Sequence, residues 1–423
     1  MTRGFFGRLR ALGPGIVFAL TVLGAGSVVA NAAAGASSGY ALLWVLALAV
    51  FFRYVWLSVS ARYVLVTGEP LIAGYARLGK WFLWSLWLAL LVMAHLYTLY
   101  AIALMGFTFD VLLPLPWGWS AETWGLFFTL AGFGMCFWGG YPAVETACKV
   151  LLVVMGGTLA AVAILSGPDV GGIVRGTLIP TRPVGEAFGG TVPIVVALIG
   201  TEAGSITNLT YSYFMYEKGW RDVSYLGRQR RDLLFSVVAM FLMAALLQVA
   251  AAGTLFQSGV DVQSAEDLVR IFSDRLGRAG RVIFALGLWA ATFTTFVGAN
   301  TGYALVFSDI TRRIIPGLRP VYATSTERIS VGRDRIYQAA LAFWAFSPLY
   351  VLVADWDAAF LALLVSAIVV FLIPLLGFGL LWLSASGERM GKYRNGPITN
   401  ALLILLILIS AYLSVTTIWD WIT

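Results

Sequence analysis

Long apolar runs separated by short polar loops dominate this chain, and they constrain its fold more than any other feature. A helix that crosses roughly 30 Å of hydrocarbon needs about 20 apolar residues. Runs of this kind predict an all-α polytopic membrane protein with about 11 transmembrane helices. We place the spans at 14–37, 40–62, 81–112, 122–139, 142–166, 189–216, 233–256, 280–308, 337–353, 357–384 and 398–419.

Composition agrees with a membrane solvent. Hydrophobic residues make up 60% of the chain and charged residues only 12%, against about 25% charged in soluble domains. The 423 residues therefore form one integral membrane domain, 1–423. Cys136 and Cys148 both lie in apolar runs, which indicates neither a disulfide framework nor a metal cluster. The basic N-terminus lacks a cleavage site, so the first run is predicted to be a spanning helix and not a signal peptide.

The basic residues follow the orientation rule for membrane proteins. Twenty of the 28 Lys and Arg residues fall in loops of one side, and six fall in loops of the other side. The positive-inside rule then predicts a multi-pass protein of the cell membrane, with a cytoplasmic N-terminus and, after eleven spans, an outside C-terminus. The net charge of +7 is thus explained by topology and gives no reason to expect nucleic-acid binding.

Two spans, the first and the sixth, are interrupted by small and polar residues. They hold matching positions in two successive groups of five spans. Such a pair predicts a transporter site built from discontinuous helices, whose freed backbone groups line a cavity. The alternative is that the small residues serve only close helix packing. The residues concerned are Gly24, Gly26, Ser27 and Asn31 in the first span, and Thr201, Glu202, Gly204, Ser205 and Asn208 in the sixth.

Several stretches, in this order and spacing, resemble the NRAMP divalent-metal transporters, and most closely their magnesium-transporting relatives. This resemblance implies a LeuT-type fold with inverted five-helix repeats, about 11–166 and 188–385, and an extra helix at about 398–419. It also implies an ion site where spans one and six unwind. The stretches are LGPG (12–15), AGASSGYALLW (34–44), ARYVLVTGE (61–69), YPAVE (141–145), VRGTLIP (174–180), AGSITNLTYSYFMYEKGW (203–220) and MGKYRNGPITN (390–400).

The chain departs from the family pattern at the ion site. The Asp-Pro-Gly-Asn motif of ordinary members falls on 24–27, where this chain has no carboxylate. The family's sixth-helix Met, a soft ligand, is replaced by Gly204 or Ser205. The third span has no acid over 81–107, which removes the usual proton relay. These differences favour a hard ion such as Mg²⁺ held by oxygen ligands. The expected metal-site residues are Glu202, Ser27, Asn31, Gly24, Thr201, Gly204, Ser205 and Asn208.

Glu202 is the one acid of the sixth span, and its burial there would cost roughly 2.5–3.5 kcal/mol. Our hypothesis is that it replaces the missing first-helix carboxylate. Two alternatives stay open: an ion pair with Arg53 or Lys149, or a protonated acid. His95 is expected to be a hydrogen-bonded core residue, with a proton relay as the alternative. Glu145 and Lys149 are expected to form a local i,i+4 pair.

The resulting prediction is a secondary transporter of a divalent cation, Mg²⁺ or Mn²⁺, without tight proton coupling. A transporter of a small organic solute or anion is the first alternative, and a non-transporting membrane receptor or scaffold is the second. No nucleotide-binding loop or catalytic constellation is visible, so neither an enzyme nor a cofactor is expected. The expected partners are the metal ion and the lipid bilayer.

Overall fold

The computed structural model describes residues 13–181, 193–204, 206–256, 264–318, 334–354 and 356–422. Ser205 of the predicted site and the N-terminal Arg3, Arg8 and Arg10 lie outside these residues, as do residues 189–192 of the predicted sixth span. The described residues form helices and connecting turns, with no β-strand among them.

The described residues of the first half of the chain form eight α-helices. The first predicted span is divided into α1 and α2, because the chain leaves helical geometry at Leu23 and Gly24. The helices are α1 (Pro14–Val22), α2 (Ala25–Ser38), α3 (Leu43–Thr67), α4 (Leu71–Tyr75), α5 (Lys80–Leu112), α6 (Ser120–Gly134), α7 (Gly140–Leu165) and α8 (Val170–Leu178).

Nine more lie in the described part of the second half. The sixth predicted span is also divided, into α9 and α10, and a kink at Gly277 bends α12. The helices are α9 (Ile194–Glu202), α10 (Asn208–Glu217), α11 (Leu226–Thr254), α12 (Ala265–Ile314), α13 (Arg335–Phe346), α14 (Ala358–Ile368), α15 (Ile373–Ala385), α16 (Gly387–Met390) and α17 (Pro397–Ile422).

Seven helices in the described residues are long and apolar enough to cross a membrane, and the bent pair α1 and α2 makes eight. The stretch 120–165 counts once among them, although a straight helix of that length would measure about 69 Å. Gly140 breaks it, with a φ of 58° that suits glycine better than other residues. Three further spans would complete the predicted eleven: a second span within this stretch, the broken sixth span, and the short ninth span at α13. The count of eleven stays a prediction.

The four half-helices lie at the centre of the bundle. The half-helix α1 packs against α7, α10, α11 and α12, while α2 packs against α9, α11 and α14. In the surrounding scaffold, α12 packs most extensively against α5 and α7. Each half of one broken span therefore contacts a half of the other, which places both breaks at the same depth in the core.

Candidate functional site

The break in the first span is a sharp bend of 54° between α1 and α2. At this bend Gly24 lies directly against α12, so that a Cβ atom here would overlap the side chain of Thr295. The amide of Ala25, the first residue of α2, donates to Thr295 Oγ1 at 3.2 Å. The predicted interruption of the first span is thus confirmed, and a threonine of the scaffold packs against it.

The break in the sixth span covers residues 203–207, of which Ser205 is outside the described residues. Gly204 has a φ of 158°, and a Cβ atom there would lie 2.7 Å from Asn208 Nδ2. The chain resumes helical geometry at Asn208, whose side chain is fully buried. The predicted interruption of the sixth span is confirmed as well.

Glu202, the last residue of α9, connects the two broken spans. Its side chain is fully buried. Oε1 accepts a short hydrogen bond from Ser27 Oγ and a second from Asn31 Nδ2 at 3.0 Å, both from α2. Its second oxygen, Oε2, has no hydrogen-bond partner among the described residues. Three of the predicted site residues therefore lie in direct contact, although 171 positions separate Asn31 from Glu202 in the chain.

Among the described residues no direct salt bridge joins Glu202 to Lys149 or Arg53, although Arg53 is near enough for the two charges to attract each other. Lys149 Nζ donates to Glu145 Oε1 at 2.6 Å, so the expectation that Lys149 neutralises Glu202 is wrong, while the predicted Glu145–Lys149 pair is confirmed. Arg53 is fully buried, but its Nη2 donates to the backbone oxygen of Thr201 at 2.5 Å and not to the carboxylate. The physical reason is the end of α9: Thr201 lies in its last turn, where carbonyl groups have lost their helical partners and attract a cation.

A small cavity, hereafter the hollow, lies beside these contacts. Its volume is about 10 Å³, roughly the room that one water needs. Gly24, Ser27 and Thr201 of the predicted site line it, whereas Glu202, Asn31, Gly204 and Asn208 do not. Ser27 connects Glu202 to the hollow, since it lines the hollow and donates to Glu202 Oε1.

Sequence reasoning did not place seven of the lining residues at the site. They are Arg53 of α3, Thr21 and Val22 of α1, Tyr97 and Tyr100 of α5, Thr207 in the second break and Thr295 of α12. The sequence offered one signal, since Arg53 is a single charge in the middle of an apolar run. The other six are residue types common in membrane proteins and gave no comparable signal.

The remaining candidates lie outside the site. His95 hydrogen-bonds through its two ring nitrogens to Ser347 Oγ at 2.8 Å and Tyr350 Oη at 3.0 Å, as expected for a hydrogen-bonded residue. Within the described part of the chain, no group of three or more His, Cys, Asp or Glu side chains could hold a metal ion. Any ion at the breaks would therefore rely on one carboxylate, with amide, hydroxyl and backbone oxygens as the other ligands.

Solved structures share this architecture over the whole chain. A manganese transporter of Eremococcus coleocola, in complex with an aromatic bis-isothiourea substituted compound, matches with a TM-score of 0.72 and 17% identity, covering 100% of this chain and 94% of that one. MhsT in complex with L-phenylalanine matches with a TM-score of 0.60 and 13% identity, covering 96% and 97%. These likenesses show the LeuT-type fold.

Curated relatives match at low identity over most of their length. The divalent metal cation transporter MntH of Aeromonas hydrophila is 25% identical, covering 97% of each chain. MntH of Klebsiella pneumoniae is 26% identical, covering 73% of this chain and 74% of its own. A family model described as natural resistance-associated macrophage protein-like (Nramp) matches residues 15–420. With two broken spans at its centre and this match along nearly its whole length, the chain belongs to the Nramp family of multi-pass membrane transporters.

Proposed function

We propose that this protein carries a divalent cation, Mg²⁺ or Mn²⁺, across the cell membrane. The relatives support a divalent ion by their names, which are divalent metal cation transporter for the MntH proteins and manganese transporter for the Eremococcus protein. The cation would bind between the two breaks, where Glu202 supplies the negative charge that the first span lacks.

The observation that carries the proposal is a set of buried oxygen atoms at the junction. Glu202 Oε2, Asn31 Oδ1 and Asn208 Oδ1 are buried and have no hydrogen-bond partner in the described part of the chain. A buried polar atom without a partner costs free energy that a bound ligand can recover. Carboxylate and amide oxygens are ligands that Mg²⁺ and Mn²⁺ accept, and Mg²⁺ keeps several waters besides.

The other predicted site residues contribute in different ways. Ser27 donates to Glu202 and fixes its carboxylate. Thr201 donates its hydroxyl to Ala197 O at 3.0 Å, so its backbone and not its side chain faces Arg53. Gly24 and Gly204 allow close approach at the breaks. Ser205 stays a candidate ligand from its place in the sequence alone.

The driving force would be the membrane potential, without tight proton coupling. A negative interior favours cation entry by about 2.3 kcal/mol per charge per 100 mV, so a divalent ion gains twice that amount. The stretch 81–107 of α5 contains no acid that could relay protons beside the ion. The basic loops orient the protein with its N-terminus in the cytoplasm and its C-terminus outside.

Uptake into proteoliposomes tests the proposal. We expect Glu202→Gln to reduce Mg²⁺ and Mn²⁺ uptake by roughly tenfold or more, because the amide keeps the shape and removes the charge. Glu122→Gln, an acid in the first turn of α6 away from the breaks, is the matched control and should transport like the wild type. Undiminished uptake by the Glu202 variant would refute the cation site.

A small organic solute or anion is the alternative cargo. The buried positive charge of Arg53 favours it, and the hollow would have to widen to admit an organic acid. The same vesicles, loaded to detect uptake of amino acids and small organic acids, separate the two. A carrier of such solutes would accumulate one of them and leave Mg²⁺ and Mn²⁺ outside. A receptor or scaffold would accumulate none of these substrates.

A further inference from the structure

The hollow is lined by a buried cation whose hydrogen-bonding capacity is mostly unused. Arg53 is fully buried, and Nη2 is its one guanidinium nitrogen with a partner, Thr201 O. Nε and Nη1, which together carry three N–H groups, have no acceptor among the described residues. The ring of Phe18 lies 5.8 Å from the guanidinium carbon, and Glu202 attracts the Arg53 charge without a direct salt bridge.

The first turn of α2 faces the same hollow. This half-helix has 14 residues, and Gly24, Gly26 and Ser27 at its start line the cavity. The first amides of a helix have no helical acceptor and carry the positive end of its dipole. The Ala25 amide is satisfied by Thr295 and the Gly26 amide by the Tyr100 hydroxyl, so the positive charge here is that of the helix dipole. The dipole of α2 and the guanidinium of Arg53 therefore both direct positive charge into the hollow, from two different helices.

We propose that the hollow binds a small monovalent anion, such as chloride, next to the cation site. The region between the two breaks would then have two oppositely charged ends, called poles here. Unpaired oxygens of Glu202, Asn31 and Asn208 form the pole that takes a cation, and Arg53 with the start of α2 forms the pole that takes an anion. Ser27 lies between them, since it lines the hollow and donates to Glu202.

The charges at the break give a reason for two ions. A divalent cation beside Glu202 would also lie near Arg53, and at this depth like charges repel strongly because little water screens them. An anion on Arg53 removes that repulsion. Binding of the two ions should therefore be mutually favourable, and by linkage each should raise the affinity of the other by the same factor. This coupling rests on the proposed function; anion binding itself does not.

The size of the hollow restricts the ligand. With a volume of about 10 Å³, it has room for one particle of roughly the size of water. Monatomic halides fit this description with little adjustment, whereas sulfate, gluconate and organic acids do not. We therefore expect chloride and bromide to bind and gluconate and sulfate to have no effect.

Thermal unfolding of the purified protein, without divalent cations, tests the anion site. Chloride replaces gluconate at constant ionic strength. A site on the native state gives a saturable rise in Tm. We expect this rise in the wild type and in Arg62→Gln, the matched control on the same helix, whose guanidinium hydrogen-bonds to Asn395 outside the hollow. In Arg53→Gln the chloride concentration at half effect should increase roughly tenfold or more.

A second measurement, on the wild-type protein, tests the anion site even if Arg53→Gln fails to fold. Radiolabelled chloride should bind the wild type with a stoichiometry of one and be displaced by bromide but not by sulfate. No saturable binding, or an equal chloride effect in the wild type and the Arg53 variant, would overturn the proposal and leave water as the occupant of the hollow.

Failure of this proposal can be distinguished from failure of the proposed function. Replacement of gluconate by chloride should lower the half-saturating concentration of Mg²⁺ or Mn²⁺ by about fivefold or more in the wild type. If uptake is unaffected by chloride but abolished in Glu202→Gln, the anion site is wrong and the cation site stands. If chloride binds but no divalent cation is transported, the proposed cation transport is wrong and the anion site stands.

Discussion

At the residue scale, the buried carboxylate at the two breaks belongs to the sixth span, whereas the first span has none at the positions of the family motif. The segment 24–27 has no carboxylate, and Ser27 instead donates a hydrogen bond to Glu202 of the other broken span. A serine hydroxyl next to a carboxylate is a favourable, charge-assisted contact, while two carboxylates facing each other without a cation would repel. A serine at position 27 therefore suits a glutamate at position 202, and a second acid at position 27 would not.

Gly24 allows a test of the close packing at the first break. We expect Gly24→Ala to lower the free energy of unfolding by about 1–3 kcal/mol, because its methyl group would overlap the Thr295 side chain. The measurement is Tm in detergent, together with Mg²⁺ and Mn²⁺ uptake.

Two further variants show whether the contact with Thr295 causes the loss of stability. Adding Thr295→Ala should recover part of the loss, since the overlapping atoms belong to Thr295. Gly157→Ala is the control, because a Cβ atom at Gly157 meets no atom within 4 Å. If Gly24→Ala is as stable as the Gly157 control, the contact with α12 is not tight.

At the scale of elements, the half-helix α1 is short and depends on its neighbours. Nine residues would be marginal as an isolated helix in water. Asp232 of α11 compensates by accepting hydrogen bonds from the amides of Gly13 and Gly15, both at 2.8 Å. An acid from a different helix thus acts as the N-terminal cap of α1, which also places a negative charge at the positive end of its dipole.

Removal of this cap should loosen α1. We expect Asp232→Ala to cost about 1–2 kcal/mol of stability, and Asp232→Asn to cost less because its amide keeps one acceptor. A thiol reagent should label Val17→Cys of α1 faster in the Asp232→Ala background. The native Cys136 and Cys148 are fully buried, so they add little background. Equal labelling with and without Asp232 would show that the cap does not hold α1 in place.

At the scale of the whole molecule, the bundle presents an apolar surface to lipid and keeps its polar residues inside. Large hydrophobic side chains such as Trp138, Ile164 and Ile422 are more than 70% exposed, which is favourable only in a bilayer. The polar residues Glu202, Asn31, Arg53 and Asn208 are fully buried. Soluble proteins place polar residues on their surface, whereas this protein places them at the centre of the bundle. An ion or polar substrate would therefore bind at the centre.

Orientation can be tested at the same scale. Eleven spans with a cytoplasmic N-terminus require an outside C-terminus. We expect an epitope tag after α17 to be digested by protease added to intact cells, and a tag at the N-terminus to be digested only after permeabilisation. Digestion of both tags on the same side would mean an even number of spans, and the stretch 120–165 would be the first place to look for the error.

The sequence alone determined the membrane solvent, the two interrupted spans and the isolated acid Glu202. These features are local: a run of apolar residues, a cluster of glycines and a charge at depth each have a cost or benefit that does not depend on distant partners. For the same reason the i,i+4 pair of Glu145 and Lys149 was predictable.

Only the tertiary structure decided the partners of the charges. Glu202 contacts Ser27 and Asn31 and not Lys149, while Arg53 binds the end of α9 and lines a hollow with residues of four other elements. These contacts join residues more than a hundred positions apart, and they depend on how bent helices pack against a scaffold. Packing geometry is a property of the whole bundle, and the residue types in one segment do not contain it.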